Sequence, residues 1–513
     1  MREQILIPRS DREGQFFLGP MGSEDPSDFI NAETNRVPYK TATIDLKIWK
    51  NAFRSWPSQM VKVEPGWNEW FHRVQKPYRE MWAQMGIEQC LDLSTVDYGK
   101  DTSLLTAASY FWSDSLNAFM FSNGPMTPTL LDVKMLTGLK IDSTVNPAKL
   151  RDYVPKHQLI GKIQGGWSGY IKEHMKTGAV SHREHSAFLL MWLDRFVFCG
   201  PTIAPTTNMQ TLAEQIADGG DIAIGHILLG ETYAMLHATS EKIHQCSAIN
   251  AGGPWWFVQS FLHVYFAKLQ NRPAFTTIRY ARDSYQEKAH LEQLKKEKSP
   301  IDPDTDYSTR RCTSIGEAIR MLAAMTSSDE ATAAWFEIFY IGPNDQDQMW
   351  FAYDEANFAD NPLSTDSIFE NPSDISMKSV LGSTDSAKNF YACIHPRLLP
   401  SGIASGKKSK PPSYEFYHPS VAARQLGLGQ VPIKLHFADK LRPRQPIDTA
   451  LAYDRLLNIA IPEVAIVTTI NLAPSSSKAW DLFWEEWHSH LFNLKVARYG
   501  VKFFSDFVSS SKV

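Results

Sequence analysis

Two stretches of this chain are apolar almost all the way round a helix. SHREHSAFLLMWLDRFVFCG (181–200) and AGGPWWFVQSFLHVYFAKL (251–269) carry hydrophobic or aromatic residues on nearly every side. A helix of that kind belongs inside a large protein or in a membrane. The richest run, AFLLMWL (187–193), is stopped by Asp194-Arg195 and is too short to cross a bilayer. Both segments are therefore expected to be central helices wrapped by others. Wrapping partners are visible. Trp67, Trp70, Phe71 and Val74 recur at i, i+3, i+4 and i+7, a helix is expected around Leu104–Trp112, and Ile224, Ile227, Leu228, Met235 and Ala238 share one face of another, with Asp221 as its N-cap. Period-two alternation is scarce. The fold expected is mostly α: a multi-helix globular core with small β-hairpins. At 513 residues the chain exceeds the roughly 250–300 residues at which one core stops growing, so two packed helical subdomains are expected.

The most structured short signal is FMFSNGPMTPTLLDVKMLTGL (119–139). Phe119 and Phe121 alternate with Met120 and Ser122, and Asn123-Gly124 is a hairpin turn pair. Pro125 lacks the N–H that would close such a turn, so the turn is open or Pro125 begins an edge strand. Thr129 and Asp132 form a capping box; Leu130, Val133 and Leu136 make the apolar stripe that follows, and Gly138 is placed to end the helix. A second hairpin is expected where 335–342 and 348–355 flank PNDQD.

Around these elements, residues 1–54 read as a polar, partly disordered arm. Residues 55–445 read as the helical domain, with a flexible loop at 401–413. Residues 446–513 read as an extension ending in an aromatic amphipathic helix through Trp480, Phe483, Trp484, Trp487 and Leu491. The five cysteines are sparse and odd in number, as expected of reduced thiols in the cytosol or nucleus. The start, MREQILIPRSDREG, lacks the apolar stretch of a signal peptide.

Catalytic and metal motifs fail on spacing. There is no phosphate-binding glycine loop. In Gly166-Trp167-Ser168-Gly169-Tyr170 the second glycine falls one place early for a nucleophile elbow. Asp302, Asp304 and Asp306 begin like a calcium loop, but Tyr307 and Thr313 stand where glycine and glutamate are needed. His182 and His185 have workable helical spacing for a metal, yet HREH matches no zinc-hydrolase pattern; His488 and His490 fall on different helix faces. A cryptic catalytic site would draw on His182, Glu184 and His185, or on Asp218 and Asp221. No catalytic residue, cofactor or metal is assigned. The net charge of −4 provides no general basic coat, but residues 394–446 carry nine basic residues against two acidic ones. Lys407, Lys408, Lys410, Arg424, Lys434, Lys440, Arg442 and Arg444, with Tyr414, Phe416 and Tyr417 interleaved, are the candidate contacts to nucleic acid or a partner.

Five blocks in order resemble the plant mobile domain family, also labelled aminotransferase-like. They are SWPSQMVKVEP…MWAQMGIEQCLDLS, LLTAASYFWSDSLNAFMFSNGPMTPTLLDVKMLTGLKIDS, HSAFLLMWLDRFVF, TLAEQIADGGDIAIGHILLGETYAML with GGPWWFVQSFLHVYF, and YHPSVAARQLGL, together about residues 55–440. Trp112, Phe119, Gly124, Thr129, Leu130, Asp132, Val133, Leu136 and Gly138 fit the second block, and Arg424, Gln425 and Gly427 the fifth. Pro125 departs from an acidic residue usual in the family. The resemblance implies a protein of transposable-element origin, nuclear, linked to transposon silencing, gene expression or genome maintenance. A serine/threonine phosphatase is an implied partner, and DNA or RNA a further one through 394–446. The chain lacks the phosphatase metal signatures themselves, and no phosphate cup for pyridoxal phosphate is visible. A non-enzymatic interaction scaffold is therefore expected, with a nucleic-acid-binding accessory protein or a cryptic enzyme as alternatives.

Overall fold

The computed structural model describes residues 16–20, 45–57, 66–143 and 153–266 with short breaks, 315–322, 328–341, 391–403, 412–426, isolated positions between 437 and 455, and 464–468. The fold is mostly helical, as its periodicity requires. The helices in chain order are α1 (Trp67–Gln84), α2 (Glu88–Leu93), α3 (Thr102–Ser109), α4 (Leu130–Thr137), α5 (Gly166–His174) and α6 (His182–Met191). They are followed by α7 (Gln210–Ala217), α8 (Ile224–His244), α9 (Trp255–Tyr265), α10 (Ile315–Leu322) and α11 (Asp329–Ile341). Three small antiparallel sheets join them: β2 (Trp112–Ser113), β3 (Ala118–Phe121) and β4 (Gly124–Met126); β5 (Arg397–Ser401) with β6 (Ser413–Tyr417); and β1 (Phe16–Pro20) with β7 (Val464–Thr468).

The two all-round apolar segments are central. Every residue of α9 is buried, and so is α6 from Glu184 onward. Beyond Met191 the chain widens into a π-helical turn, Trp192–Val197, which sets Asp194 and Arg195 in the interior. Trp67 stacks on Phe188 at 4.8 Å and on Phe196 at 4.5 Å, so the aromatic stripe of α1 packs on α6 and the π turn. Arg320 of α10 is held between Tyr98 and Trp256, with its guanidinium carbon 5.2 and 4.8 Å from the ring centres. Such desolvated cation–π contacts are worth about 2 kcal/mol. Most of the buried apolar side chains among the described residues form one continuous cluster, from Ile48 to Leu426. No helix among the described residues is long and apolar enough to cross a membrane.

Four expectations need correction. The arm read as ending at residue 54 packs from Leu46 onward: Ile48, Trp49 and Phe53 are buried, and Trp49 stacks on Phe53 at 5.6 Å. Polar neighbours hid that short apolar turn. Residues 335–341, expected in a hairpin, lie in α11, where Trp335, Phe336 and Phe339 face the core. Short apolar runs do not separate strand from helix by periodicity, and the Ser328 hydroxyl, accepting from Ala331 N at 3.0 Å, is the helix signal. Asp221 does not cap α8, whose N-cap is Ala223; its carboxylate pairs instead with Lys140. The helix expected through Trp112 stops at Ser109, because Trp112 pairs with Phe119 across β2 and β3. The C-terminal aromatic helix, Asp302, Asp304 and Asp306, the stretch 348–355 and most of the 401–413 loop lie outside the described residues.

Candidate functional site

The motif stretch folds as a hairpin and capped helix. Phe119, Met120 and Phe121 pair with Met126, Pro125 and Gly124, and β4 is the edge strand on which Pro125 is tolerated. The capping box is complete. Asp132 is fully buried; its Oδ2 accepts from the Thr129 amide at 2.7 Å and from the Thr129 hydroxyl at 2.6 Å. Asp132 Oδ1 accepts from the Tyr265 hydroxyl at 3.0 Å, tying the cap to central α9. Gly138 closes α4 at φ 68°, a left-handed conformation that suits glycine.

The two motif blocks, nearly three hundred residues apart, meet here. Gln425 grips the backbone of Thr127: its Oε1 accepts from the amide at 2.8 Å and its Nε2 donates to the carbonyl at 2.9 Å. Tyr417 accepts from the Leu130 amide at 3.2 Å and donates to Cys393 O at 2.6 Å. Tyr233 donates to Pro128 O at 2.7 Å. Burial raises the phenols of Tyr233, Tyr265 and Tyr417 far above neutral pH, so all three stay protonated donors. Trp112 meets Phe119 edge-on at 4.9 Å, and Phe121 stacks on Phe339 of α11 at 4.3 Å. Leu130, Val133 and Leu136 are buried, as is Arg424; Gly427 lies outside the described residues.

The basic stretch is largely internal where it is described. Glu415, 1% exposed, receives Arg444 Nε at 3.0 Å. The same guanidinium donates through Nη2 to Asn117 Oδ1 at 2.9 Å and Asp114 O at 3.2 Å. Burial raises the Glu415 carboxyl, and Arg444, His237 and Asn117 offset that shift. Arg397 donates to Ala392 O at 2.6 Å and meets His226 Nε2 at 3.0 Å. Burial, then Arg397, holds His226 well below its usual range, so the ring is the neutral acceptor. Arg424 and Arg444 are thus corrected from surface contacts: Arg424 is buried and Arg444 is an internal brace, and buried Tyr414, Phe416 and Tyr417 are no platform for bases. Both strands of this segment, β5 and β6, are buried at every position after the first. Arg442 remains exposed; Lys407, Lys408, Lys410, Lys434 and Lys440 lie outside the described residues.

The HREH candidates separate into three environments. His185 is buried, stacks face-on to Tyr78 at 3.7 Å and accepts from Trp82 Nε1 at 3.0 Å. Burial, then His182, pushes it down to about 3, so it stays neutral. Glu184 receives Arg73 at 2.8 and 3.0 Å and Trp70 Nε1 at 3.1 Å. His182 instead faces outward to Asp218 Oδ1 at 3.0 Å and His157 at 3.1 Å. Asp218 also accepts from Tyr153 at 2.8 Å and Lys156 at 2.7 Å. Sequence reasoning missed Tyr153, Lys156 and His157, because YVPKH (153–157) sits in a stretch without periodicity. Ser168 lies within α5 and not on a strand-to-helix elbow. Among the described residues no three His, Cys, Asp or Glu side chains are grouped to hold a metal ion.

Asp194 is a buried carboxyl in the π-helical turn. Burial raises it to about 6 although Thr206 donates to it through its hydroxyl at 2.7 Å and its amide at 3.2 Å. A folded-state value above the ordinary 3.8 means the group favours the fold when protonated and opposes it once pH rises through 6. Asp194→Asn keeps the acceptor and removes the charge. It is expected to stabilise the protein by roughly 1–3 kcal/mol above pH 7 and by nothing near pH 4, read from urea unfolding at both pH values.

Residues 86–305 match the family model described as Plant mobile domain. No curated protein and no solved structure matches the chain significantly.

Proposed function

The chain carries a plant mobile domain over residues 86–305, and from that premise we propose a non-enzymatic nuclear protein of transposable-element origin. It acts as a protein-interaction scaffold in transposon silencing, gene expression or genome maintenance, with a serine/threonine phosphatase among its partners. One observation supports this reading above the others. The described motif residues are engaged with one another and with central helices, through the Asp132 cap, the Gln425–Thr127 clamp and the Tyr417–Leu130 bond. Residues engaged in this way specify a shape, and such a shape leaves binding to its surface. Transposon descent follows from the domain; the nuclear and silencing roles rest on family analogy.

The alternative is an accessory protein that binds DNA or RNA directly. Its contacts would be Arg442, which is exposed, and Lys407, Lys408, Lys410, Lys434 and Lys440. Salt-titrated binding of the full-length protein to duplex DNA and single-stranded RNA separates the two. The scaffold reading expects weak retention with little dependence on salt. A steep salt slope that flattens in a Lys407/Lys408/Lys410→Ala variant would replace it with the nucleic-acid reading.

A further inference from the structure

We propose that the outer edge of β7 (Val464–Thr468) is an interface between two copies of this chain, in which the two β7 strands pair antiparallel about Ile466 and join into one four-stranded sheet. Proline fixes which backbone groups are available. β1 and β7 pair antiparallel, with Phe16 opposite Thr468, Leu18 opposite Ile466 and Pro20 opposite Val464. In such a ladder the N–H and C=O of one residue point together, toward the partner strand or away from it, and the direction alternates along the strand. Pro20 has no N–H to donate across the pair, so it stands at a position that points away, and so does Val464 opposite it. Alternation then turns the backbone groups of Ala465 and Val467 toward β1, and those of Val464, Ile466 and Thr468 outward. Among the described residues no strand pairs with that outer edge.

Other strand edges of this chain carry a guard. Pro125 lies opposite Met120 in β4, and Pro400 lies opposite Tyr414 in β5. Neither can donate across its pair, so each puts its missing donor on the outer side of its strand, as Pro20 does in β1. β1 also rests against the turn Pro419–Leu426. An outward proline is a common device against pairing with another chain. β7 lacks one. The run from Glu463 to Ala473, between Pro462 and Pro474, contains no proline, no glycine and no charge beyond Glu463. It is rich in β-branched residues, and an edge of that composition is a template for a further strand.

Self-complementarity selects the occupant. A two-fold axis at Ile466 sets Ile466 opposite Ile466 of the second copy, and Val464 opposite Thr468 on both sides. Each outward amide then meets an outward carbonyl. No charge lies within Val464–Thr468, so none meets its own copy. An isologous contact of this kind closes on itself. The joined sheet has the order β1-β7-β7-β1, with Pro20 on both outer rims, so pairing stops there and does not run on into a fibre.

Sedimentation of the full-length protein from about 0.1 to about 100 μM tests this. A dimer of the 58.1 kDa chain is expected at the upper end. Ile466→Lys and Ile466→Glu, each alone, are expected to weaken dimerisation about fivefold or more, because an apolar pair is lost and like charges meet at the axis. Mixing the two variants is expected to restore the dimer, which a folding defect would not allow. Hydrogen exchange on the unaltered protein reads the same edge: the Ile466 amide is expected to slow as concentration rises, while the Val467 amide, bonded to β1 within the chain, does not change. A monomer over the whole range overturns the proposal and leaves the edge to a strand of another protein. A dimer that neither substitution weakens, a mixture that stays monomeric, or an Ile466 amide indifferent to concentration overturns it as well.

Discussion

Arg444→Ala is expected to destabilise the protein by about 3–5 kcal/mol, the cost of stripping one partner from a buried ion pair. Glu415 is 1% exposed, and among the described residues the side-chain donor left to it in this variant would be Asn117 Nδ2 at 3.4 Å. Arg444 also braces the loop between β2 and β3 through Asn117 and Asp114, and it does so at φ 61°, a conformation rarely held without such support. The effect appears as a lower urea midpoint with unchanged slope. Adding Glu415→Gln to Arg444→Ala should recover part of the loss, because the uncompensated charge disappears. Arg442→Ala, two residues away and exposed, should change stability by no more than about 0.5 kcal/mol. Neighbouring arginines thus separate into brace and surface. Equal, small effects from both would refute the internal role assigned to Arg444.

Asp132→Ala is expected to cost about 3–5 kcal/mol, combining loss of a helix cap with buried donors left unpaired. The Thr129 amide and hydroxyl and the Tyr265 hydroxyl all lose their acceptor. Thr129→Ala removes only the Oγ1 half of the box, and about 1–2 kcal/mol is expected. Thermal unfolding of the two variants beside the parent protein gives the comparison. If Asp132→Ala melted with the parent, Asp132 would not be structural, and its burial would need another explanation.

The elements read best from sequence were those whose signal is local. Thr129, Asp132 and Gly138 announce their cap and stop within ten residues, and each does what it announces. The apolar segments around 187–193 and 255–265 could only be central, and they are. What was illegible depends on partners far along the chain. Nothing near Arg444 shows that Glu415, Asn117 and Asp114 will surround it, so a charge count placed it on the surface. HREH looks like one constellation because its residues are adjacent. The helix turns them apart, sending His185 inward to Tyr78 and Trp82 and His182 outward to Asp218. Trp335–Ile341 was misread because a dense aromatic run satisfies strand and helix periods alike, and the chain resolved it by packing α11 on α3 and on Phe121.

The most direct test of the scaffold reading is capture of the tagged full-length protein from plant nuclei at low and moderate salt, with and without nuclease, followed by mass spectrometry. The account predicts a phosphatase or chromatin-associated protein retained at both salts after nuclease treatment. Retention that vanishes with nuclease or modest salt, leaving only nucleic acid in the untreated sample, would contradict it.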